Sequence, residues 1–269
     1  MEGSLIRRLL LALDLDGTVI SADLQLDQRD VDAIGSAQAA GMIVVACTGR
    51  PFPGAEPWLR RLDLRGPCAC YQGAQVRSAS GEMLFDQGVP RALGLEVIQF
   101  CRERDLHVQA YRDDRLLVER DRPEAHQYAN HAGMAINVVG DLGEAMDATT
   151  PKLVLVASPQ RCEELLPEVR RRWAGGLEIA TSLPNFMEFT LAGADKARAL
   201  EFVCRHFGIS QSESVAVGDG RNDCSMLEWA ALSYAVQGAP VEVLEAAGGR
   251  TIGPPGTGGI ASLIQGLMA

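Results

Sequence analysis

Two aspartates stand where a short apolar run ends near the start of the chain. The stretch LLLALDLDGT (9–18) places Asp14 and Asp16 two residues apart and follows them with Gly17. Alternate residues at a strand end point the same way, so both carboxylates face one pocket, and the glycine permits the sharp exit turn. Carboxylates that close repel each other and call for a cation or a proton between them. Mg²⁺ fits because it takes carboxylate and phosphate oxygens, although a solvated acidic turn would explain the pair alone.

Two further carboxylates follow another apolar run. The stretch GDGRND (218–223) contains Asp219 and Asp223. Alone, it is also typical of a glycine turn with a helix cap. Together with Asp14 and Asp16 it supplies the remaining anionic side of a metal site. That site requires the carboxyls of Asp14 and Asp219 to lie close enough for one cation to bridge them.

Phosphate-binding groups are predicted at a third strand end and on a later segment. The stretch MIVVACTGR (42–50) ends in Thr48, Gly49 and Arg50. The Thr48 hydroxyl and the backbone amides of Thr48 and Gly49, near a helix start, form a phosphate-sized set of donors. Lys196 adds a point charge for anionic oxygens. A single lysine is usually a surface residue, so this assignment depends on the other motifs.

These groups together define a reaction. A carboxylate nucleophile can attack phosphorus and form an aspartyl-phosphate. Mg²⁺ and Lys196 would neutralise the charge that spreads over the equatorial oxygens. A second carboxylate would protonate the leaving group and then deprotonate the hydrolytic water.

The apolar pattern predicts which strands and helices carry these residues. Four uninterrupted apolar runs predict strands of a parallel sheet covered on both faces, at residues 9–14, 42–50, 214–220 and 233–238. Helices are predicted over 27–40, 196–207 and 222–231. This alternation predicts an α/β fold with a doubly wound parallel sheet. Ligands of such sheets bind outside the carboxyl ends of the strands, where all four runs end in chemically useful residues.

The spacing of the motifs predicts an inserted domain. One strand–helix–strand unit separates Asp14 from Thr48, whereas the chain from Thr48 to Lys196 is far too long for a single crossover. We therefore expect a core domain of residues 1–76 and 187–269 and an inserted α/β cap of residues 77–186. The cap is expected to have an open sheet with one face free to cover the site. Its predicted strands are LHVQAY, RLLVE, AINVVG, KLVLVAS and LEIATS, and its predicted helices are 91–104 and 159–173.

Composition narrows the partners and the compartment. The 269 residues carry a net charge of −10, which argues against nucleic acid but allows a small phosphorylated ligand. The N-terminal IRRLLLALD resembles a signal peptide, yet its apolar run is too short and no small-residue cleavage site follows. No stretch is long enough to predict a membrane span. Seven irregularly spaced cysteines predict buried thiols in a reducing cytoplasm rather than a zinc site or a disulfide framework. The sequence leaves monomer and homodimer equally open.

The chain resembles the haloacid dehalogenase superfamily of phosphohydrolases through four motifs in the expected order: DLDGT, ACTGR, Lys196 and GDGRND. The insertion point, with TGGIA (257–261) and CSML (224–227), is similar to the Cof-type branch with an α/β cap, subfamily IIB. The resemblance covers residues 5–76 and 187–269. It implies a Rossmann-like core, a mobile cap and Mg²⁺ as cofactor. The expected substrate is a small phosphomonoester, such as a sugar phosphate or a phosphorylated cofactor.

The resemblance also implies individual roles. Asp14 matches the nucleophile and a metal ligand, and Asp16 matches the general acid/base, whose backbone carbonyl also reaches the metal. Thr48 and Lys196 match the pair that orients the phosphate, and we group the flanking Gly17, Gly49 and Arg50 with the phosphate-binding residues. Asp219 matches a side-chain metal ligand. Asp223 matches a carboxylate that binds or orients the metal shell, and Asn222 matches a contact to the substrate phosphate.

The chain departs from the family pattern at three positions. They are Gln72 in YQGAQ, where Asn is frequent, Ala197, where Gly is frequent, and Ala239 in QGAP, where Asn is frequent. None belongs to the nucleophile or the metal set, so the departures concern substrate orientation rather than the reaction class. Polar cap residues that could meet a leaving group, although each is more typical of an ordinary surface, are Arg112, Arg115, His107, His126 and His131. Two more, expected nearer the site, are Asn185 and Glu188.

Other functions remain compatible with these motifs. A phosphotransferase or phosphomutase on the same scaffold would also use Asp16. A hydrolytic dehalogenase fits less well, because that chemistry does not need the arrangement of Asp16 and Asp219 around a metal. A phosphate-binding regulator without turnover is disfavoured by Asp16, Lys196 and the long cap. The cap residues that would select a substrate follow no recognisable pattern.

Overall fold

The computed structural model describes residues 9–269. Arg7 and Arg8, the charged part of the signal-like stretch, lie outside the described residues. The chain divides into two compact units. The first comprises the residues up to Phe85 together with Asp195–Ala269, and the second comprises Asp86–Ala194.

The first unit is built on one large sheet, with elements numbered along the whole chain. Its strands are β1 (Leu10–Leu13), β2 (Ile43–Cys47), β3 (Cys68–Cys70), β4 (Gln75–Arg77), β5 (Met83–Asp86), β14 (Ser214–Gly218), β15 (Leu232–Val236) and β16 (Thr251–Ile252). Among the described residues the order across the sheet is β16-β15-β14-β1-β2-β3-β4-β5. The strands from β16 to β3 are parallel, and β4 runs antiparallel to β3.

The apolar runs form this sheet because both of its faces are covered. All four side chains of β1 are fully buried, so residues pointing to either side need to be apolar. Helices of this unit are α1 (Gln28–Ala39), α2 (Phe52–Arg61), α7 (Lys196–Phe207), α8 (Cys224–Trp229), α9 (Val241–Ala246) and α10 (Gly259–Met268). One face packs against α7, α8 and α9 through residues such as Leu200, Leu227 and Val243. The predicted α/β fold with a doubly wound, largely parallel sheet is confirmed.

The second unit has a mainly antiparallel sheet of its own. Its strands are β6 (Val89–Pro90), β7 (His107–Arg112), β8 (Arg115–Val118), β9 (Ile136–Val138), β10 (Thr149–Thr150), β11 (Leu153–Val156), β12 (Leu177–Leu183) and β13 (Phe186–Leu191). Its helices are α3 (Arg91–Arg102), α4 (Pro123–Ala132), α5 (Leu142–Ala145) and α6 (Pro159–Arg172). The main sheet has the order β12-β13-β11-β7-β8-β9, and β6 pairs with β10.

The core of the second unit lies on one face of this sheet. Phe100 of α3 and Val169 of α6 pack there against sheet residues such as Leu155. The opposite face, expected to be open, is covered in part by α4. The hydroxyl of Tyr111 in β7 donates a hydrogen bond to the hydroxyl of Tyr128 in α4 at 2.7 Å.

The unit boundaries differ from the predicted limits at 76/77 and 186/187. Strands β4 and β5 extend the first sheet beyond residue 76, and β13 completes the second sheet beyond residue 186. None of the helices in residues 9–269 has the length and apolar character needed to cross a membrane. The seven cysteines all lie in that range and none is in a disulfide.

Candidate active site

Four neighbouring strands of the first unit bring the predicted site residues to one edge of the sheet. In the ladders, Leu13 of β1 is opposite Val217 of β14 and Ala46 of β2. Asp14 and Thr48 each come at or just past the carboxyl end of a strand in this group. Because β1 continues to β2 on one side and lies beside β14 on the other, the chain reverses its direction of winding here, which is where such sheets bind ligands.

Three carboxylates and one ammonium converge at this edge. Asp14, Asp219 and Asp223 each offer an oxygen atom, and these atoms all lie within 4.8 Å of one another. Lys196 Nζ lies 2.6 Å from Oδ1 of Asp14 and 2.6 Å from Oδ1 of Asp223. The lysine side chain is 0% exposed. It is the first residue of α7, whose N-cap Asp195 accepts a hydrogen bond from Arg198 N at 2.8 Å and so fixes the start of the helix.

The charges of this cluster do not balance. Burial raises the pKa of Asp14 well above its ordinary value, against the lowering effect of Lys196. Burial, followed by the charge of Asp223, also raises the pKa of Asp219. Burial alone would lower the pKa of Lys196, but the charges of Asp14 and Asp223 outweigh it and raise that pKa. The ammonium therefore stays charged. Ionising all three carboxylates beside it gives an excess of negative charge, which the raised pKa values of Asp14 and Asp219 show to be unfavourable without a further cation.

The excess charge and the type of donor fit a hard divalent cation. Carboxylate oxygens are the ligands that Mg²⁺ and Ca²⁺ prefer, and a cation between Asp14 and Asp219 would relieve their repulsion. Asp14 and Asp219 are the carboxylates best placed to hold it, since both oxygens of Asp223 are already engaged. Oδ2 of Asp223 accepts hydrogen bonds from the backbone amides of Asp219 and Gly220, at 3.0 and 2.9 Å.

Two residues after β1 hold Asp219 in place. Thr18 donates a hydrogen bond from Oγ1 to Oδ1 of Asp219 at 3.1 Å. Gly17 has a φ of +84°, and a Cβ at this position would lie 2.3 Å from Oδ2 of Asp219. The glycine is therefore needed for the close approach as well as for the turn. Thr18 was not among the predicted site residues, and its position directly after Asp16-Gly17 is the only sequence signal for it.

Asp16 lies apart from the three converging carboxylates. Its side chain is 49% exposed and forms a two-pronged ion pair with Arg50, at 2.6 Å from Nε and 2.5 Å from Nη2. The expectation that Asp14 and Asp16 face one pocket rests on strand alternation. Strand β1 ends at Leu13, so that rule does not extend to Asp16, which instead bridges to Ile20 in the following turn.

The loop after β2 differs from the prediction in one donor. The backbone amide of Thr48 donates to Ala69 O at 2.8 Å, because the β2–β3 ladder continues by one residue, and so it is not available to a phosphate. The Thr48 hydroxyl accepts a hydrogen bond from Arg50 N at 3.1 Å. The Gly49 amide has no hydrogen-bond partner among residues 9–269. The predicted donor set therefore reduces to the Thr48 hydroxyl and the Gly49 amide.

Asn222 is joined to a residue that departs from the family pattern. Its side-chain Nδ2 donates to Oε1 of Gln72 at 2.9 Å. Gln72 follows β3 and so reaches the same edge of the sheet as the other site residues. The structure therefore brings Asn222 beside the loops after β2 and β3. The other two departures, Ala197 and Ala239, lie at the second residue of α7 and in the turn after β15.

The polar residues predicted in the cap have structural partners inside the second unit. His107 is buried beside Gln109, and His126 pairs with Asp121 at 2.6 Å. Arg112 donates to Ala145 O at 2.7 Å. The ring of His131 packs against those of Tyr128 and Phe186. Asn185 and Arg115 are paired through the backbone: the carbonyl of Asn185 accepts from the Ala157 amide, and Arg115 is opposite Arg112 in the β7–β8 ladder. Glu188 is buried in β13 and forms an ion pair with Lys152 at 2.8 Å.

The sequence profile of the haloacid dehalogenase-like hydrolases matches residues 11–264. The chain belongs to this family. Among its relatives, YxeH of Bacillus subtilis is 27% identical over 251 residues, covering 90% of this chain and 92% of that protein. A protein of Serratia proteamaculans named HMP-PP phosphatase is 25% identical over 218 residues, covering 81% of this chain and 80% of its own length.

Solved structures agree with this assignment. The crystal structure of TM0651 from Thermotoga maritima has a TM-score of 0.87 and 26% identity, and the match covers 96% of this chain and 97% of that one. A haloacid dehalogenase-like hydrolase from Bacteroides thetaiotaomicron has a TM-score of 0.86 at 25% identity, over 97% and 99% of the two chains. The family predicted from the four motifs is confirmed, and this protein is an enzyme of that hydrolase family.

Proposed function

We propose that this hydrolase is a phosphatase that cleaves a small phosphomonoester through an aspartyl-phosphate on Asp14, with Mg²⁺ as its cofactor. The convergence of Asp14, Asp219 and Asp223 within 4.8 Å of one another, beside the buried Lys196, is the observation that carries this proposal. Family membership and the relative named HMP-PP phosphatase support the reaction class.

Asp14 is the proposed nucleophile. Its carboxylate is buried and held by Lys196, so its oxygens are oriented and poorly solvated, as a nucleophile requires. Asp14 and Asp219 would hold the Mg²⁺, whose charge would offset that of the cluster and of the incoming phosphate. One oxygen of Asp14 attacks phosphorus, the ester P–O bond breaks, and Lys196 stabilises the charge on the transferred group.

Asp16 is the proposed general acid and base. Its half-exposed carboxyl is held by Arg50 outside the cluster, where it can exchange protons with a leaving group and with water. In the first step it gives a proton to the leaving alkoxide. In the second step the Asp16 carboxylate takes a proton from water, the resulting hydroxide attacks phosphorus, and phosphate leaves as Asp14 is restored.

The remaining site residues are proposed to bind the phosphate. Donors come from the loop after β2 (the Thr48 hydroxyl and the Gly49 amide), from the start of α7 (Lys196) and from the segment after β14 (Asn222). Gly17 and Arg50 hold the neighbouring groups. Asp223 acts through others, because it anchors Lys196 and the Asp219 loop. The proposed substrate is a small phosphorylated metabolite, such as a sugar phosphate or a phosphorylated cofactor. We also propose a reducing cytoplasm as the compartment, in keeping with the seven free cysteines of the described chain.

The test is a screen of the purified protein against a broad panel of phosphorylated metabolites, with release of inorganic phosphate as the readout. We expect phosphate release from at least one compound in Mg²⁺, loss of release in excess chelator, and recovery when Mg²⁺ is restored. The variant Asp14→Asn serves as the blank. Absence of Mg²⁺-dependent release across the panel would contradict the proposal, and an isomerised or transferred phosphoryl group would favour the mutase or phosphotransferase alternative.

A further inference from the structure

A strained turn follows β3 at the same sheet edge. Tyr71, Gln72 and Gly73 have φ values of +51°, +63° and +96°, so three consecutive residues are in the left-handed region. This conformation costs about 1 kcal/mol or more for a residue with a side chain, and such strain is concentrated at functional sites. Gly73 has no alternative, because a Cβ there would lie 2.1 Å from the carbonyl oxygen of Asp195.

The turn is held by the residues that it helps to place. Tyr71 N donates to Arg50 O at 3.0 Å, and Gln72 N donates to Thr48 O at 3.1 Å. At its other end, Gly73 lies directly against the N-cap residue of α7, one residue before Lys196. The turn thus links the loop that follows β2 to the start of the helix that carries the buried lysine.

The side chain of Gln72 joins two loops of the site. Its Oε1 accepts the hydrogen bond from Nδ2 of Asn222 at 2.9 Å. Its Nε2 lies over Gly49, where a Cβ would come within 2.4 Å of that nitrogen. The oxygen of Asn222 lies in turn against Gly220, at 2.4 Å from where a Cβ would stand. The Asn222 amide group is therefore hydrogen-bonded to Gln72 on one side and lies close to the backbone of Gly220 on the other.

We propose that Gln72 is a positioning residue for phosphate binding, which it serves by fixing the side chain of Asn222 beside the Gly49 amide. This inference rests on the proposed phosphatase function. It explains why a glutamine occupies a left-handed position that glycine or asparagine would adopt at lower cost. The longer side chain spans from the loop after β3 to Asn222, and the backbone strain is retained for that contact.

The decisive variant is Gln72→Gly, because it relieves the backbone strain while removing the side chain. We expect a thermal midpoint equal to or above that of the wild type, with kcat/KM lowered about tenfold, as expected for one lost hydrogen bond to a substrate-binding group. The loss should fall mainly on KM, since ground-state phosphate binding is weakened. Asp63→Gly is the matched control. Asp63 also has a positive φ, of +45°, but lies outside the site, so the phosphatase activity of this variant should be unchanged.

A double-mutant cycle separates positioning from a general structural role. If Gln72 acts through Asn222, the pair Gln72→Gly with Asn222→Ala should lose no more kcat/KM than Asn222→Ala alone. Gln72→Glu keeps an acceptor for Asn222 but adds a negative charge near the phosphate, so it should raise KM further. Additive losses, or a Gln72→Gly enzyme as active as the wild type, would overturn the inference while the proposed function stands. A wild-type enzyme without phosphatase activity would instead remove the proposed function itself.

Discussion

Lys196 Nζ lies 2.6 Å from Oδ1 of Asp14, and both side chains are buried at the carboxyl edge of the parallel sheet. Asp223 completes the contact at the same distance from the ammonium. The two aspartates come from different strand ends, and the lysine comes from the start of a helix that returns from the second unit. One buried cation therefore ties together segments that are far apart in sequence.

Lys196→Met should show how the cluster depends on this cation. The methionine would fill the space but leave Asp14 and Asp223 buried without their partner, so we expect a loss of about 3 kcal/mol in the free energy of unfolding. Phosphatase activity should fall by at least about a hundredfold, because the charge on the transferred group is no longer offset. Urea unfolding and a phosphate-release assay measure the two effects.

The same variant has a built-in control. Added Mg²⁺ should recover part of the lost stability in Lys196→Met, because a divalent cation compensates the charge of the buried, unpaired carboxylates, and it should recover none of the activity. Equal unfolding free energies for the wild type and Lys196→Met without Mg²⁺ would mean that the carboxylates do not need the ammonium.

Gly17→Ala should weaken the metal site through Asp219. The added methyl group would stand 2.3 Å from Oδ2 of Asp219, which must then move. We expect the Mg²⁺ concentration for half-maximal activity to rise about tenfold or more, since a ligand displaced by even 1 Å loses much of its contribution. Gly41→Ala is a matched control: its φ is +92°, and a Cβ there meets nothing within 4 Å. It should lose similar stability and keep the wild-type Mg²⁺ dependence.

Much of the core could be predicted from sequence because its signals are local. The strands β1, β2, β14 and β15 are uninterrupted apolar runs, and α1 begins after Asp27, which caps it by accepting from Arg29 N. Because the carboxyl ends of parallel strands meet at one edge, the approach of the carboxylates of Asp14 and Asp219 could be predicted from their places at the ends of two strands.

The elements that were not predicted carry mixed signals. Helix α2 contains Pro53, Gly54 and Pro57, which are usually helix breakers, but Pro53 lies in the first turn, where no backbone donor is needed. Strand β13 has its apolar pattern interrupted by Glu188, which is tolerated because Lys152 pairs with it. The local sequence around β13 does not contain the partner of Glu188, and the proline and glycine residues of α2 also occur in loops. Neither element could therefore be predicted from its own residues.

The finer contacts of the site depend on loop conformation. The Asp16–Arg50 pair, the engaged amide of Thr48 and the bridge from Gln72 to Asn222 are set by turns whose φ values the sequence does not specify. Tyr71 and Gln72 both have positive φ values, although neither residue type favours them. Residue identity thus indicated which groups are present, while the packing of three loops determined how they are paired.

Asp30 should stabilise the fold by capping the last helix. It is 2% exposed on α1 and accepts a hydrogen bond at 2.8 Å from Ala261 N in the first turn of α10. Asp30→Ala should lower the free energy of unfolding by about 1 to 2 kcal/mol, the usual effect of losing a helix cap. Asp32→Ala, at an exposed position of the same helix, should change it by less than about 0.5 kcal/mol. Denaturant unfolding of the two variants checks the difference.

The charge of Asp30 adds a pH dependence. Burial raises the pKa of this carboxyl, so the folded state binds its proton more tightly than the unfolded chain, whose pKa is about 3.9. The stability that the protonated Asp30 carboxyl contributes is therefore lost as the pH rises from about 3.9 through the folded pKa. Asp30→Asn keeps the acceptor and removes the titration, so its stability should exceed that of the wild type at neutral pH. A less stable Asp30→Asn would show that the ionised cap is the better partner for α10.

His107 should make the second unit sensitive to acid. Burial is the main cause that lowers the pKa of this histidine, which lies in β7 beside Oε1 of Gln109 at 3.1 Å. The unfolded chain, with a pKa of about 6.5, then binds the proton more readily than the folded state. Stability is complete above that pH and is lost as the pH falls from about 6.5 towards the folded pKa. His107→Gln should flatten the dependence of the thermal midpoint between about pH 5 and 7. An unchanged slope in His107→Gln would assign the acid sensitivity to other groups.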